Sequence, residues 1–175
     1  MKNPKLQKLV RAALLAALCC VATMVIQIPS PMHGYVNLGD CFVLLAGWML
    51  GPAWGFFAAG IGSALADALT GYFHYVPGTF VIKGLMALLA ALLLPLLNKA
   101  LRHALSARIV SSVVCEGVMA AGYFGYASLL LGKGLAAAAS VPGNLIQGAF
   151  AVAAAVMVSL ALSKTPLMPT LEDSR

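Results

Sequence analysis

Charge is scarce in this chain. Its 175 residues include 11 Lys or Arg and 5 Asp or Glu, so that 9% are charged, against roughly 25% in an ordinary soluble domain. Such a shortage excludes a solvated globular surface. A glycine-rich phosphate loop ending in Gly-Lys-Ser/Thr is absent, so ATP-driven work would need another subunit. Four cysteines, Cys19, Cys20, Cys41 and Cys115, stand in apolar segments without a Cys-x-x-Cys pair. A zinc knuckle and a disulfide scaffold are thereby excluded, and packing is left as their use. Three histidines, His33, His74 and His103, are dispersed without a repeated ligand spacing. No metal site, cofactor or nucleophile-and-base pair is expected, and hence no catalytic residue. The net charge of +6 would suit nucleic acid only if the basic residues alternated with aromatics along one face. They do not, and no nucleic-acid partner is expected.

Apolar residues fill the space that charge leaves. They make up 62% of the chain, and the mean hydropathy of +0.95 is that of an integral membrane protein. With roughly 20 residues needed per spanning helix, the length holds about six spans in one bundle and no separate soluble domain. The expected fold is all-α: a polytopic six-transmembrane-helix bundle over 1–175. Its spans are placed at about 9–28, 40–50, 54–69, 79–97, 109–131 and 144–162. The first is expected to be retained, because the small-residue cleavage pattern of a signal peptide is missing. Prolines 29 and 31 with Gly34 break the chain after it. "GPAWG" ends the short second span, "TGYFHYVPG" forms a loop, "NKALRHALSAR" is a basic connector, and "GKG" opens another loop.

The basic residues sort by side. With the first basic run cytoplasmic, Lys2, Lys5, Lys8, Arg11, Lys99, Arg102, Arg108, Lys164 and Arg175 fall inside and Lys133 alone falls outside. This asymmetry follows the positive-inside rule and predicts both termini cytoplasmic, in a cell membrane. The second span, about 11 residues long, is too short for a ~30 Å hydrocarbon core by itself.

On that topology the polar residues gather in one half of the bundle. Asn37 and Asp40 stand at the outer mouth of span two, Asp67 near the outer end of span three, and Thr79 and Lys83 on one face at the start of span four. Tyr123 and Tyr126 share a face of span five, Asn144 and Gln147 the first turn of span six, and Glu116 lies deeper, two turns below Tyr123. Intramembrane charges cost at least ~2.5–3.5 kcal/mol each, so they face a cavity or one another. A polar chamber opening outward is expected, roofed by the loops "IPSPMHGYVNLG" and "TGYFHYVPG", the latter supplying Tyr75.

Each residue also has a plainer use. Asp67 and Lys83 would neutralise one another as a buried pair. Asp40 and Asn144 stand where N-caps do, the two tyrosines where belt aromatics do, and the histidines where solvated loop residues do. Glu116 has no evident partner on its own helix, which suits a protonated carboxyl. Small residues make a second pattern. Ala12 with Ala16 and Ala13 with Ala17 keep the four-residue spacing that lets helices approach closely in lipid. So do Gly55, Ala59 and Ser63, and such stripes serve internal packing or the docking of a partner.

The stretch from Gly34 to Ala90 carries a family resemblance. Asn-Leu-Gly-Asp opens span two, Gly-Pro-x-x-Gly follows, Ala-Asp stands near the end of span three, and Pro-x-Thr-Phe-x-x-Lys-Gly opens span four. The sequence resembles the substrate-binding (S) components of energy-coupling factor (ECF) vitamin transporters, of the riboflavin, hydroxymethylpyrimidine or pyridoxine type. The resemblance implies a six-helix bundle that holds a small-molecule vitamin ligand in an outward cavity. It also implies docking on a transmembrane coupling (T) subunit joined to two ATP-binding-cassette ATPases, with Ala12, Ala13, Ala16 and Ala17 matching the family's docking alanines. The substrate-contacting set is then Asn37, Asp40, Asp67, Tyr75, Thr79, Lys83, Glu116, Tyr123, Tyr126, Asn144 and Gln147. The rival expectation is a self-sufficient proton-coupled carrier that uses Glu116 or Asp67 as a relay.

Overall fold

The computed structural model describes residues 3–25, 27–30, 34–163 and 165; Lys2, Pro31, His33, Lys164 and Arg175, named above, lie outside them. Six α-helices make up most of the described chain: α1 (Pro4–Val25), α2 (Asp40–Leu50), α3 (Pro52–Leu69), α4 (Val76–Leu101), α5 (Ala104–Gly125) and α6 (Val141–Leu162). Four helical stretches, 4–25, 76–101, 104–130 and 134–162, are long and apolar enough to cross a membrane. Leu14, Val21, Phe57, Leu96, Leu145 and Phe150 are among the exposed apolar side chains, as lipid-facing surfaces require.

The expectation of an all-helical chain needs one correction. Strands β1 (Ile28–Ser30) and β2 (Gly34–Val36) pair antiparallel, with Ile28 opposite Val36 and Pro29 opposite Tyr35. Pro29 stops the helix but is tolerated in an edge strand, while Ile28, Tyr35 and Val36 favour extended backbone. A hairpin therefore stands where a plain loop was expected.

The basic connector is also shorter than expected. Helix α4 continues to Leu101 and α5 starts at Ala104, because Lys and Arg are good helix formers and Lys99 suits the negative end of α4. Arg102, at φ 52°, makes the left-handed turn, its N–H bonded to the Asn98 carbonyl. Past α5 the chain tightens into a π-helical turn at Tyr126–Leu130, and a 3-10 helix spans Gly134–Ser140 where a loop was expected.

Helix α2 is the centre of the bundle, packed against α1, α3, α4 and α6. Only Phe42 and Met49 of its 11 residues escape full burial, the state expected of a helix that is apolar all round. It rises about 16 Å, half of a ~30 Å hydrocarbon core. Gly51, at φ 82°, turns the chain sharply into α3, a conformation that glycine adopts without a Cβ penalty, and Pro52 starts the next helix. Close packing of α1 on α3 depends on Gly62, where any Cβ would collide with the Ala16 carbonyl.

Candidate functional site

A cavity of about 570 Å³, its mouth included, lies at the hairpin end of the bundle. Thr23 comes from the last turn of α1, Tyr35 and Asn37 from the hairpin and the segment after it, and Ser63 and Asp67 from the last turns of α3. The start of α4 brings Thr79 and Lys83, with Tyr75 just before it. Tyr123 and Ala127 close the end of α5, and Ser140, Asn144 and Gln147 the start of α6. Helix ends that alternate along the chain thus meet at one place, so successive long helices run antiparallel. Of the residues expected in the chamber, Asn37, Asp67, Tyr75, Thr79, Lys83, Tyr123, Asn144 and Gln147 line this wall.

Asp40 lies beneath them and corrects two expectations. It is fully buried in the first turn of α2 and does not cap it; the cap position is Gly39, without a side-chain bond. Its Oδ1 pairs with Lys83 Nζ, and Gln147 Nε2 donates to Oδ2 at 2.5 Å. The buried ion pair is therefore Asp40 with Lys83, rather than Asp67 with Lys83. Both carboxylate oxygens are used, as a buried charge demands. Gln147 also accepts the Asn37 backbone N–H through Oε1 at 2.7 Å, while Asn37 Oδ1 accepts the Gly39 N–H at 2.8 Å. One continuous chain of polar contacts thus runs from Lys83 through Asp40 and Gln147 to the segment behind the hairpin.

Asp67 holds the hairpin from the other side. Its Oδ1 accepts the Tyr35 hydroxyl, and Oδ2 has no hydrogen-bond partner among the described residues. Burial first, and then the adjoining carboxylate, push the Tyr35 phenol above its ordinary value, so it stays a donor at neutral pH. The Thr79 and Tyr123 hydroxyls lie 3.0 Å apart, and Lys83 Nζ stands 5.3 Å from the centre of the Tyr123 ring, near enough for a cation–π contact. Lys133 Nζ donates to the Tyr75 hydroxyl at 3.1 Å.

Several expected residues do other work. Tyr126 does not line the cavity; its hydroxyl donates to the His74 carbonyl at 2.7 Å and ties the loop before α4 to the end of α5. Glu116 is buried but is not part of the wall; its carboxyl stands beside Asp40, and among the described residues no donor reaches either of its oxygens. Asn144 sits inside α6, whose cap position is Ser140, so it is a wall residue and not a cap. On α1, Ala12 is buried within the chain and the Ala16 backbone meets Gly62, whereas Ala13 and Ala17 face outward. Thr23, Tyr35, Ser63, Ala127 and Ser140 line the cavity without having been expected there, Ser63 having been read only as part of a small-residue packing stripe. Hydroxyls in apolar helices were the available signal for Thr23 and Ser63, and they are too common at helix contacts to stand out.

Known proteins agree with this architecture. Residues 3–164 match the family model described as "ECF-type riboflavin transporter, S component". Over 120 residues the chain is 38% identical to an "Uncharacterized protein in gap 3'region" of Pyrococcus woesei, covering 67% of this chain and 76% of that one. A solved chain from "Structure and mechanism of the S component of a bacterial ECF transporter" superposes with a TM-score of 0.65 and 20% identity, over 90% of this chain and 96% of that one. At that identity the likeness speaks for the fold.

Proposed function

The chain belongs to the ECF-type riboflavin transporter S component family, and from that membership we propose that it is the substrate-capturing subunit of an ECF importer in the cell membrane. Its ligand is a water-soluble vitamin or precursor built on a heteroaromatic ring, of the riboflavin, hydroxymethylpyrimidine or pyridoxine type. The observation that carries this reading is the cavity itself, with tyrosines on its wall and the buried Lys83, Asp40 and Gln147 chain at its floor. Apolar enclosure with a few fixed polar groups gives such a site both affinity and orientation. In it a ring stacks on Tyr75 or Tyr123 while Asn37, Lys83, Asn144 and Gln147 meet its nitrogens and hydroxyls.

Six crossings with both termini cytoplasmic fit the sorting of basic residues and the alternating helix ends, with α2 as a shortened central crossing. Import then rests on a transmembrane coupling subunit and two ATP-binding-cassette ATPases, for which the outward Ala13 and Ala17 offer a close-approach face. The buried Glu116 carboxyl, beside Asp40, favours a second reading, a proton-coupled carrier that works alone. Mass spectrometry of whatever co-purifies with the protein tests the first reading, with a ring-bearing vitamin or precursor as the expected result. Uptake driven by a pH gradient into vesicles holding this chain alone would establish the second.

A further inference from the structure

Two buried polar atoms in the cavity wall make no hydrogen bond of good geometry among the described residues, although the Thr79 hydroxyl lies near the Asp67 carboxylate. Ser63 is 1% and Asp67 3% exposed, and Ser63 Oγ and Asp67 Oδ2 are buried atoms without a hydrogen-bond partner among the described residues. Both residues line the cavity from α3, four positions apart and so on one face of that helix. Lys83, the cation nearest in kind, is committed to Asp40. Leaving buried acceptors unmade is costly, and native structures rarely keep them without a reason.

We propose that Ser63 and Asp67 form an acceptor wall on α3 that takes an N–H edge of the ligand, a ring imide, exocyclic amine or protonated ring nitrogen. The inference rests on the cavity being the ligand site. Lys83 and Gln147 line the same cavity, and each keeps N–H groups beyond the one it gives Asp40. The bound molecule is therefore a heteroaromatic that offers N–H donors to α3 and acceptors to Lys83 and Gln147. A carboxylate or phosphate directed at α3 would meet the Asp67 carboxylate and be repelled. Ser63 is amphoteric and sets the geometry, whereas ionised Asp67 only accepts.

The test uses the purified full chain and paired probes: riboflavin against its imide-N-methylated form, and a 4-aminopyrimidine against its dimethylamino form. Dissociation constants are measured for the wild type, Ser63→Ala and Asp67→Asn. In the wild type the donor-bearing member of the pair that binds is expected to bind at least about tenfold more tightly than its methylated partner. In both variants that ratio falls below about threefold while the methylated member keeps its affinity. A structural role alone would weaken both members together and leave the ratio in place. Equal binding of the two members by the wild type, or a ratio unchanged by Ser63→Ala, overturns the acceptor wall and leaves the transport reading standing. Failure of every probe to bind the wild type overturns both. Should Asp67→Asn fail to fold, Ser63→Ala, which removes one hydroxyl, decides alone.

Discussion

A carboxylate with no exposed surface needs partners for both oxygens, and Asp40 finds them in Lys83 and Gln147. Removing one member of such a pair strands a buried charge at ~3–5 kcal/mol. Asp40→Ala is therefore expected to lower the thermal unfolding midpoint of the detergent-solubilised protein sharply. The double substitution Asp40→Asn with Lys83→Met should recover much of that loss, because it leaves no buried charge behind. Lys83→Ala should also weaken the true ligand, measured by titration calorimetry; unchanged affinity would remove Lys83 from the proposed site. Glu116 is the contrasting case. Its carboxyl is buried but outside the cavity wall, so Glu116→Gln should change ligand affinity by less than about threefold, under ~0.7 kcal/mol. A larger change in binding, or loss of uptake with binding intact, would speak for the proton relay.

At the scale of elements, α1 shows how one spacing puts two alanine pairs on different faces. Ala12 and Ala16 lie toward the bundle, where Gly62 of α3 lets the two backbones approach, and Ala13 and Ala17 face outward. Gly62→Val is expected to separate α1 from α3 at a cost of ~1–3 kcal/mol, read as a lower unfolding midpoint. Ala13→Trp with Ala17→Trp acts on the other face. It should leave ligand affinity and stability unchanged while abolishing ATP-dependent uptake in vesicles that contain the coupling subunit and ATPases. Uptake at the wild-type rate would exclude this face from docking. The hairpin belongs to this scale as well. It is held by the Tyr35 hydroxyl on Asp67 of α3, and the segment after it by the Asn37 N–H on Gln147 of α6, so two helices fix the cover of one cavity.

Over the whole molecule, the alternation of helix ends gathers polar groups that are far apart in the chain. Asp40 and Gln147 are 107 residues apart, yet they share a hydrogen bond. The proposed topology has both termini in the cytoplasm, and tags at Met1 and Arg175 should be digested by protease in inside-out vesicles and protected in intact cells. Protection of one tag and digestion of the other in the same preparation would mean an odd number of crossings, with α2 and α3 as the first helices to reconsider.

Composition alone determined that this chain lives among lipids, because nine charged residues in every hundred cannot solvate a globular surface. The helix stop at Gly51 and the helix starts at Pro52 and Val76-Pro77 follow from backbone chemistry that needs no tertiary context. The gathering of polar residues at one end was legible too, since each occupies a definite depth in its own helix. Partner choice was not. Lys83 was within reach of either Asp40 or Asp67 by depth, and only the central position of α2 brings Asp40 beneath it. Asp67 is left to the Tyr35 phenol for the same reason, and a hairpin of three-residue strands has too short a pattern to announce itself. Depth along a helix is a one-dimensional property that residue order records. Which helix stands beside which, and which face it turns, is settled by packing of all six together, and that packing decided the ion pair, the cover and the open acceptors of the cavity.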